Sequence, residues 1–213
     1  MHTAELDGTL ALRHLLRDAG YRNATHAMAA HAWFLHPHTV AQAGKRAVLP
    51  VVRSSGRRGR IDLTDDGRKV MLDDHRISSW LFLRSSGLRS ASDVQVRHAW
   101  AAAGDPDADT ALWNLHAVPG FLIHALTGPE HDAAADALRY RAWELYGRKP
   151  PGVRKPCRPK GYKRLDFAEP AAALPDLEAE LRGALRSSPH TLVADAVRQL
   201  GWCFSGFAPD ASV

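Results

Sequence analysis

The spacing of apolar residues divides the chain into short elements of both kinds. Leu6, Leu10, Leu15 and Leu16 recur at helical spacing over residues 4–19, and Gly20 marks a stop. Asn23 is placed to cap a second helix containing Met28, Ala32, Trp33 and Leu35, which Pro37 is expected to end. Residues 47–52 read as a strand that Pro50 confines to an edge, 54–59 as a Gly- and Arg-rich loop, and 69–72 as another strand. Ile77, Trp80, Leu81 and Leu83 predict a short helix ending near Gly87. From residue 93 to 98 the pattern alternates, with Val94 and Val96 on one face, as in a half-buried strand. A loop with Gly, Pro and three Asp follows over 101–110, then a second strand over 111–118. Pro119 is suited to open a helix over 120–127, because the first helical N–H needs no partner. Residues 132–146 form a strong helical stripe closed by Gly147, and two more helices are expected at 174–186 and 191–200, with Trp202, Phe204 and Phe207 anchoring the tail.

These elements predict an α+β fold: a mostly helical single domain with a central short antiparallel β-hairpin followed by a helix. The expected organisation is a core over 1–147, a basic Pro-rich arm over 148–164, and a C-terminal helical segment over 165–213 packing on the core. A chain of 213 residues, 45% hydrophobic and 24% charged, can bury a core without staples. Cys157 and Cys203 are too few for a disulfide framework or a four-cysteine zinc site, and unpaired thiols suit a reducing, cytoplasmic setting. No apolar run reaches the ~20 residues a membrane span needs, and the early acids leave no signal-peptide core. Ala- and Arg-rich usage is associated with high-GC bacterial genomes.

The formal charge of +5 is unevenly distributed. Residues 148–164 carry eight Lys or Arg, four prolines and no acid, and Arg53, Arg57, Arg58 and Arg60 sit among Ser and Gly. Clustered cations attract polyanions and release their counterions, although a solvated surface has the same composition. Read as a nucleic-acid grip, the set is Arg53, Arg57, Arg58, Arg60, Lys149, Arg154, Lys155, Arg158, Lys160, Lys163 and Arg164, with Tyr162 available to stack on a base. The prolines would keep the arm extended.

Twelve histidines are present. His31, His36 and His38 form the densest group, but no HExxH arrangement or nearby thiolate makes it a metal site. His98, Asn114 and His124 are more informative, because they fall at the end of one strand, in the next strand, and in the following helix. This order over residues 93–127 resembles the HNH, or ββα-metal, nuclease module. The resemblance implies a metal-dependent endonuclease hydrolysing phosphodiester bonds. His98 would be the general base, Asn114 would hold that base or bind the metal, and His124 would be the metal ligand from the helix. The chemistry suits the residue types: a neutral imidazole accepts the water's proton, and a divalent ion neutralises charge on the phosphate.

One position departs from the family. Where many members carry a ligand just before the base, this chain has Arg97, which cannot bind a cation but can contact phosphate. Asp73 and Asp74, in LDDHR with His75, are candidate substitutes. Few ligands favour Mg²⁺, with Mn²⁺ or Zn²⁺ as alternatives. The implied partner is nucleic acid, DNA before RNA, with no membrane. Cutting both strands would call for a homodimer, although no dimerisation stripe is visible. Two alternatives stay open: a non-catalytic nucleic-acid-binding protein on a degenerate HNH scaffold, and an unrelated helical domain in which the spacing is chance.

Overall fold

The computed structural model describes residues 7–88, 91–101, 104–126 and 129–204. The chain begins with α1 (Gly8–Asp18), whose free N–H groups at Thr9 and Leu10 are capped by the Asp7 carboxylate. Asn23 caps α2 (Ala24–His31) in the same way, through His26. This helix is shorter than its apolar pattern predicts. Trp33 and Phe34 leave it to form β1 (Trp33–Phe34), and Pro37 opens α3 (Pro37–Ala43) rather than ending α2. The reason is the one applied to Pro119: a missing N–H costs nothing at the first helical position.

Strands β2 (Val51–Arg53), β3 (Ile61–Leu63) and β4 (Lys69–Asp73) form one sheet in the order β2-β4-β3, with β2 parallel and β3 antiparallel to β4. Nothing in the apolar pattern signals β3, which is three residues long and lacks a buried face. Helix α4 (Arg76–Ser85) follows β4 after a corner at His75. Next come β5 (Val94–His98) and β6 (Leu115–Pro119), an antiparallel pair with β1 on the far side of β6. Val96 is buried and Val94 half-buried, as the alternation requires. The second predicted strand begins later than expected, because 112–114 form a single 3₁₀ turn. Pro119 then leads into α5 (Gly120–Ala125), and α6 (Pro129–Tyr146) follows. Helices α7 (Leu177–Ser187) and α8 (Leu192–Leu200) complete the chain described.

The result is a mixed α+β single domain with small three-stranded sheets. One continuous core joins the pieces. Phe34, Met71, Phe82 and Leu115 from the sheets and α4, with Leu49 from the segment before β2, meet Leu177 and Leu181 of α7. Helix α4 packs against the β5–β6 pair on one side and against α7 and α8 on another. The C-terminal helices are therefore part of the core. The segment before them is tied down too: Ala171 N–H donates to the Phe34 carbonyl at 2.8 Å, and Leu174 N–H to Thr39 Oγ1 at 2.9 Å. Both cysteines are free thiols. Trp202 is buried in the core with Phe204 against it, whereas Phe207 lies outside the described residues.

Candidate functional site

His98 ends β5, opposite Leu115 of β6. Beyond it the chain must turn through a polar loop before returning, and Asn114 holds that loop. Its Oδ1 accepts from Trp100 N–H at 2.8 Å, and its Nδ2 donates to the carbonyls of Ala108 at 2.9 Å and Trp100 at 3.3 Å. The Asn114 carbonyl also accepts from Ala99 N–H at 2.8 Å. Asn114 is completely buried, and each of its side-chain polar atoms already has a backbone partner. Of the two roles implied for it, the ligand role is corrected: an amide oxygen engaged by Trp100 N–H and sealed from solvent does not face an ion. Through these bonds Asn114 ties Ala99, next to His98, to Ala108, next to Asp109.

His75 arrives from the start of α4. It sits at φ 92, a left-handed conformation unfavourable for a side chain with a Cβ, so the surrounding contacts must hold it there. Its Nε2 lies 2.6 Å from the Val96 carbonyl, and His98 Nε2 lies 2.7 Å from the Asp109 carbonyl. A carbonyl only accepts, so both imidazoles carry their proton on Nε2 and leave Nδ1 unprotonated when neutral. His75 Nδ1 is buried without a protein partner. The two rings meet edge to face, with centroids 4.8 Å apart. His98 Nε2 is also 3.8 Å from Asp109 Oδ1, and that oxygen accepts from Ser78 Oγ at 2.7 Å.

Burial holds the His98 pKa below the ordinary histidine value. The Asp109 carboxylate and carbonyl oppose that shift, while His75 and Arg53 add to it. The side chain is 10% exposed, so the neutral ring that results still reaches solvent.

One ligand-type atom from each of His75, His98 and Asp109 lies within 4.8 Å of the others. Metal-binding histidines commonly donate their second ring N–H to a backbone carbonyl, as both of these do. Two imidazoles and one carboxylate are the donors of Mn²⁺ or Zn²⁺ rather than of Mg²⁺, which prefers oxygen. The sequence pointed to Asp73 or Asp74 as the substitute ligand. Asp73 is instead turned into α4, where Oδ2 accepts from Ile77 N–H at 2.7 Å, and Asp74 is paired with Arg58 at 3.0 Å. Their neighbour His75 is the residue that reaches His98.

A cleft of about 370 Å³ opens over His75 and His98, lined also by Arg53, Gln95, Arg97 and Trp100, while Asp109 is buried behind them and does not line it. Arg53 and Arg97 are exposed, and among the described residues neither has a carboxylate partner. The other expected cations divide differently. Arg57 is paired with Asp62 and Arg58 with Asp74, each at 3.0 Å, and Arg60 is exposed nearby. None of the cleft-lining residues comes from the arm. Arg154, Lys155, Arg158, Lys160, Lys163 and Arg164 are exposed and Lys149 is half-buried, on a separate surface beside α6. There Lys155 lies 5.5 Å from the Trp143 ring centre and Arg158 lies 5.9 Å from that of Tyr140. The stacking role of Tyr162 is corrected: its ring is buried against Tyr140 and Phe167, and its hydroxyl donates to Glu144 Oε2 at 2.8 Å. His124 lies in α5, but its side chain is outside what the structure describes.

His75 and Asp109 are the site residues that sequence reasoning missed in these roles. The signal for Asp109 was a third Asp in a turn-forming loop, and for His75 its place in LDDHR. Neither spacing foretells a meeting across 34 residues of chain. No family model, no curated protein and no solved structure matches the chain. Among the described residues no helix is long and apolar enough to cross a membrane.

Proposed function

We propose that the chain is a metal-dependent endonuclease of HNH type that hydrolyses phosphodiester bonds, with His98 as general base. The observation that carries this reading is the state of His98. Its Nε2–H is tied to the Asp109 carbonyl, and the ring is neutral beside a cleft bearing two arginines without carboxylate partners among the described residues. A neutral imidazole fixed through one nitrogen can accept a water's proton through the other. Arg53 and Arg97 would grip the phosphates on either side of the bond cleaved, without reading sequence. With His98 as the base, His75 and Asp109 would hold the divalent ion through one imidazole and one carboxylate. When bound, the ion supplies positive charge to the phosphate oxygens and the leaving alkoxide. Asn114 keeps His98 and Asp109 in register. DNA is the expected substrate before RNA, and the exposed cations of the arm would extend the contact along the backbone.

A second reading is a non-catalytic nucleic-acid-binding protein on the same scaffold. Arg97 favours it, because a guanidinium stands where a metal ligand is common in HNH modules. The two readings separate on plasmid DNA and mixed RNA incubated with EDTA, Mg²⁺, Mn²⁺ or Zn²⁺, beside His98→Ala. The nuclease reading expects cutting with a divalent ion, none with EDTA, and none in the variant. Retention of nucleic acid at low salt without cutting under any condition favours the binding protein. Neither cutting nor retention overturns both.

A further inference from the structure

Behind the cleft lies a second cavity of about 210 Å³ that the nuclease reading does not use. Arg97, His98 and Ala101 line both spaces, so the end of β5 is the wall between them. Arg97 is paired with His116 across the two strands, and His116 lines the second cavity. Most of the remaining lining is apolar, with Met28 from α2, Ile123 from α5 and Leu138 from α6.

Three properties of this cavity point to one kind of ligand. First, His116 is only 3% exposed and its Nδ1 has no protein partner. Buried polar atoms are nearly always paired, so an unpartnered nitrogen on a ring that lines a cavity favours a ligand able to hydrogen-bond it. The ring stacks on Phe34 with centroids 5.6 Å apart, which fixes its direction. Burial, with Arg97 and His98 nearby, pushes its pKa down to about 3, so it stays neutral and suits a neutral polar edge. Second, the lining carries Arg97, which has no carboxylate partner among the described residues, whereas Arg139, bonded to the Ala99 carbonyl at 3.1 Å, is neutralised by Asp136 at 2.9 Å. Third, the walls are alkyl surface, which suits a flat ring rather than a hydrated ion. A mostly apolar cavity whose lining holds the buried His116 ring and the Arg97 guanidinium matches a nucleobase with its phosphate at Arg97.

We infer that this cavity receives a single nucleobase swung out of its stack, with Arg97 holding the adjoining phosphate at the boundary with the cleft. The inference rests on the nuclease reading for its substrate but not for its geometry. It narrows the substrate to nucleic acid in which a base can leave the stack: single strands, mismatches or modified bases, whose extrusion is least costly.

The test is direct binding, without divalent metal, of the four 5′-deoxynucleoside monophosphates and of inorganic phosphate. Binding is followed by NMR of the histidine ring nitrogens. At least one nucleotide is expected to bind ten-fold or more tighter than phosphate and to shift the His116 signals. Ala135 lines the cavity and is half-buried, so Ala135→Trp should fill the slot and remove the nucleotide's advantage while leaving phosphate affinity alone. Ala135→Leu is the milder variant should the larger ring impair folding, and a partial loss is expected from it. Equal binding of phosphate and all nucleotides would overturn the base pocket, as would nucleotide affinity unaffected by either variant. Plasmid cleavage without any nucleotide preference would refute the pocket and leave the nuclease reading standing. Nucleotide binding without cleavage would do the reverse.

Discussion

Asn114→Asp separates a brace from a metal ligand in one substitution. The two side chains have nearly the same shape, so packing is unchanged. Asn114 Nδ2 donates to the carbonyls of Ala108 and Trp100. A carboxylate would turn an oxygen towards both, losing two bonds and leaving two buried acceptors unsatisfied. At about 1–3 kcal/mol for each unsatisfied group, the expected loss is about 3 kcal/mol or more. In a domain of this size about 1 kcal/mol moves the melting temperature by about 2–4 °C, so the midpoint should fall by roughly 6–12 °C. Differential scanning calorimetry at neutral pH, without and with Mn²⁺, reads this directly. A ligand would behave in the opposite way, since an added negative charge strengthens a cation site. A variant that melts like the wild type and binds Mn²⁺ more tightly would refute the brace.

Other consequences follow from the same contacts. The neutral, buried His116 should make the protein sensitive to acid. Its native pKa of about 3 lies below the unfolded value of 6.5, so the unfolded chain binds the extra proton and stability falls as pH drops through 6.5. Between pH 7 and pH 5 this amounts to about 2 kcal/mol; denaturant melts of His116→Leu should show that slope removed, and an unchanged slope would contradict it. Catalysis should likewise fade on the acid side with a midpoint below the usual histidine value, because burial lowers the His98 pKa and only its neutral form accepts a proton; a midpoint above 6.5 in the pH–rate profile would speak against that assignment. Tyr162→Phe should cost about 1 kcal/mol of stability through the lost Glu144 bond, and a denaturant midpoint equal to that of the wild type would contradict it.

Much of the local structure is legible in the sequence because local rules decide it. The alternation around Val94 and Val96, the cap at Asn23 and the helix start after Pro119 depend on a few adjacent residues. Pro37 misleads because the same residue type ends one helix and opens another, and only the neighbouring strand β1 decides which. The candidate site is legible only in part. His98 and Asn114 stand out from their order along the hairpin. The contribution of His75 depends on α4 packing against β5, a tertiary fact with no periodicity to announce it. Tyr162 shows the opposite failure: a tyrosine among cations suggests a nucleic-acid contact, but the arm folds back on α6 and buries the ring.

The most direct test of the central claim compares His98→Ala with His75→Ala, measuring plasmid cleavage and Mn²⁺ affinity on each protein. If His98 is the base and His75 a ligand, His98→Ala abolishes cleavage while Mn²⁺ still binds, and His75→Ala weakens Mn²⁺ binding, with cleavage partly restored by excess ion. Cleavage that survives His98→Ala would contradict the account.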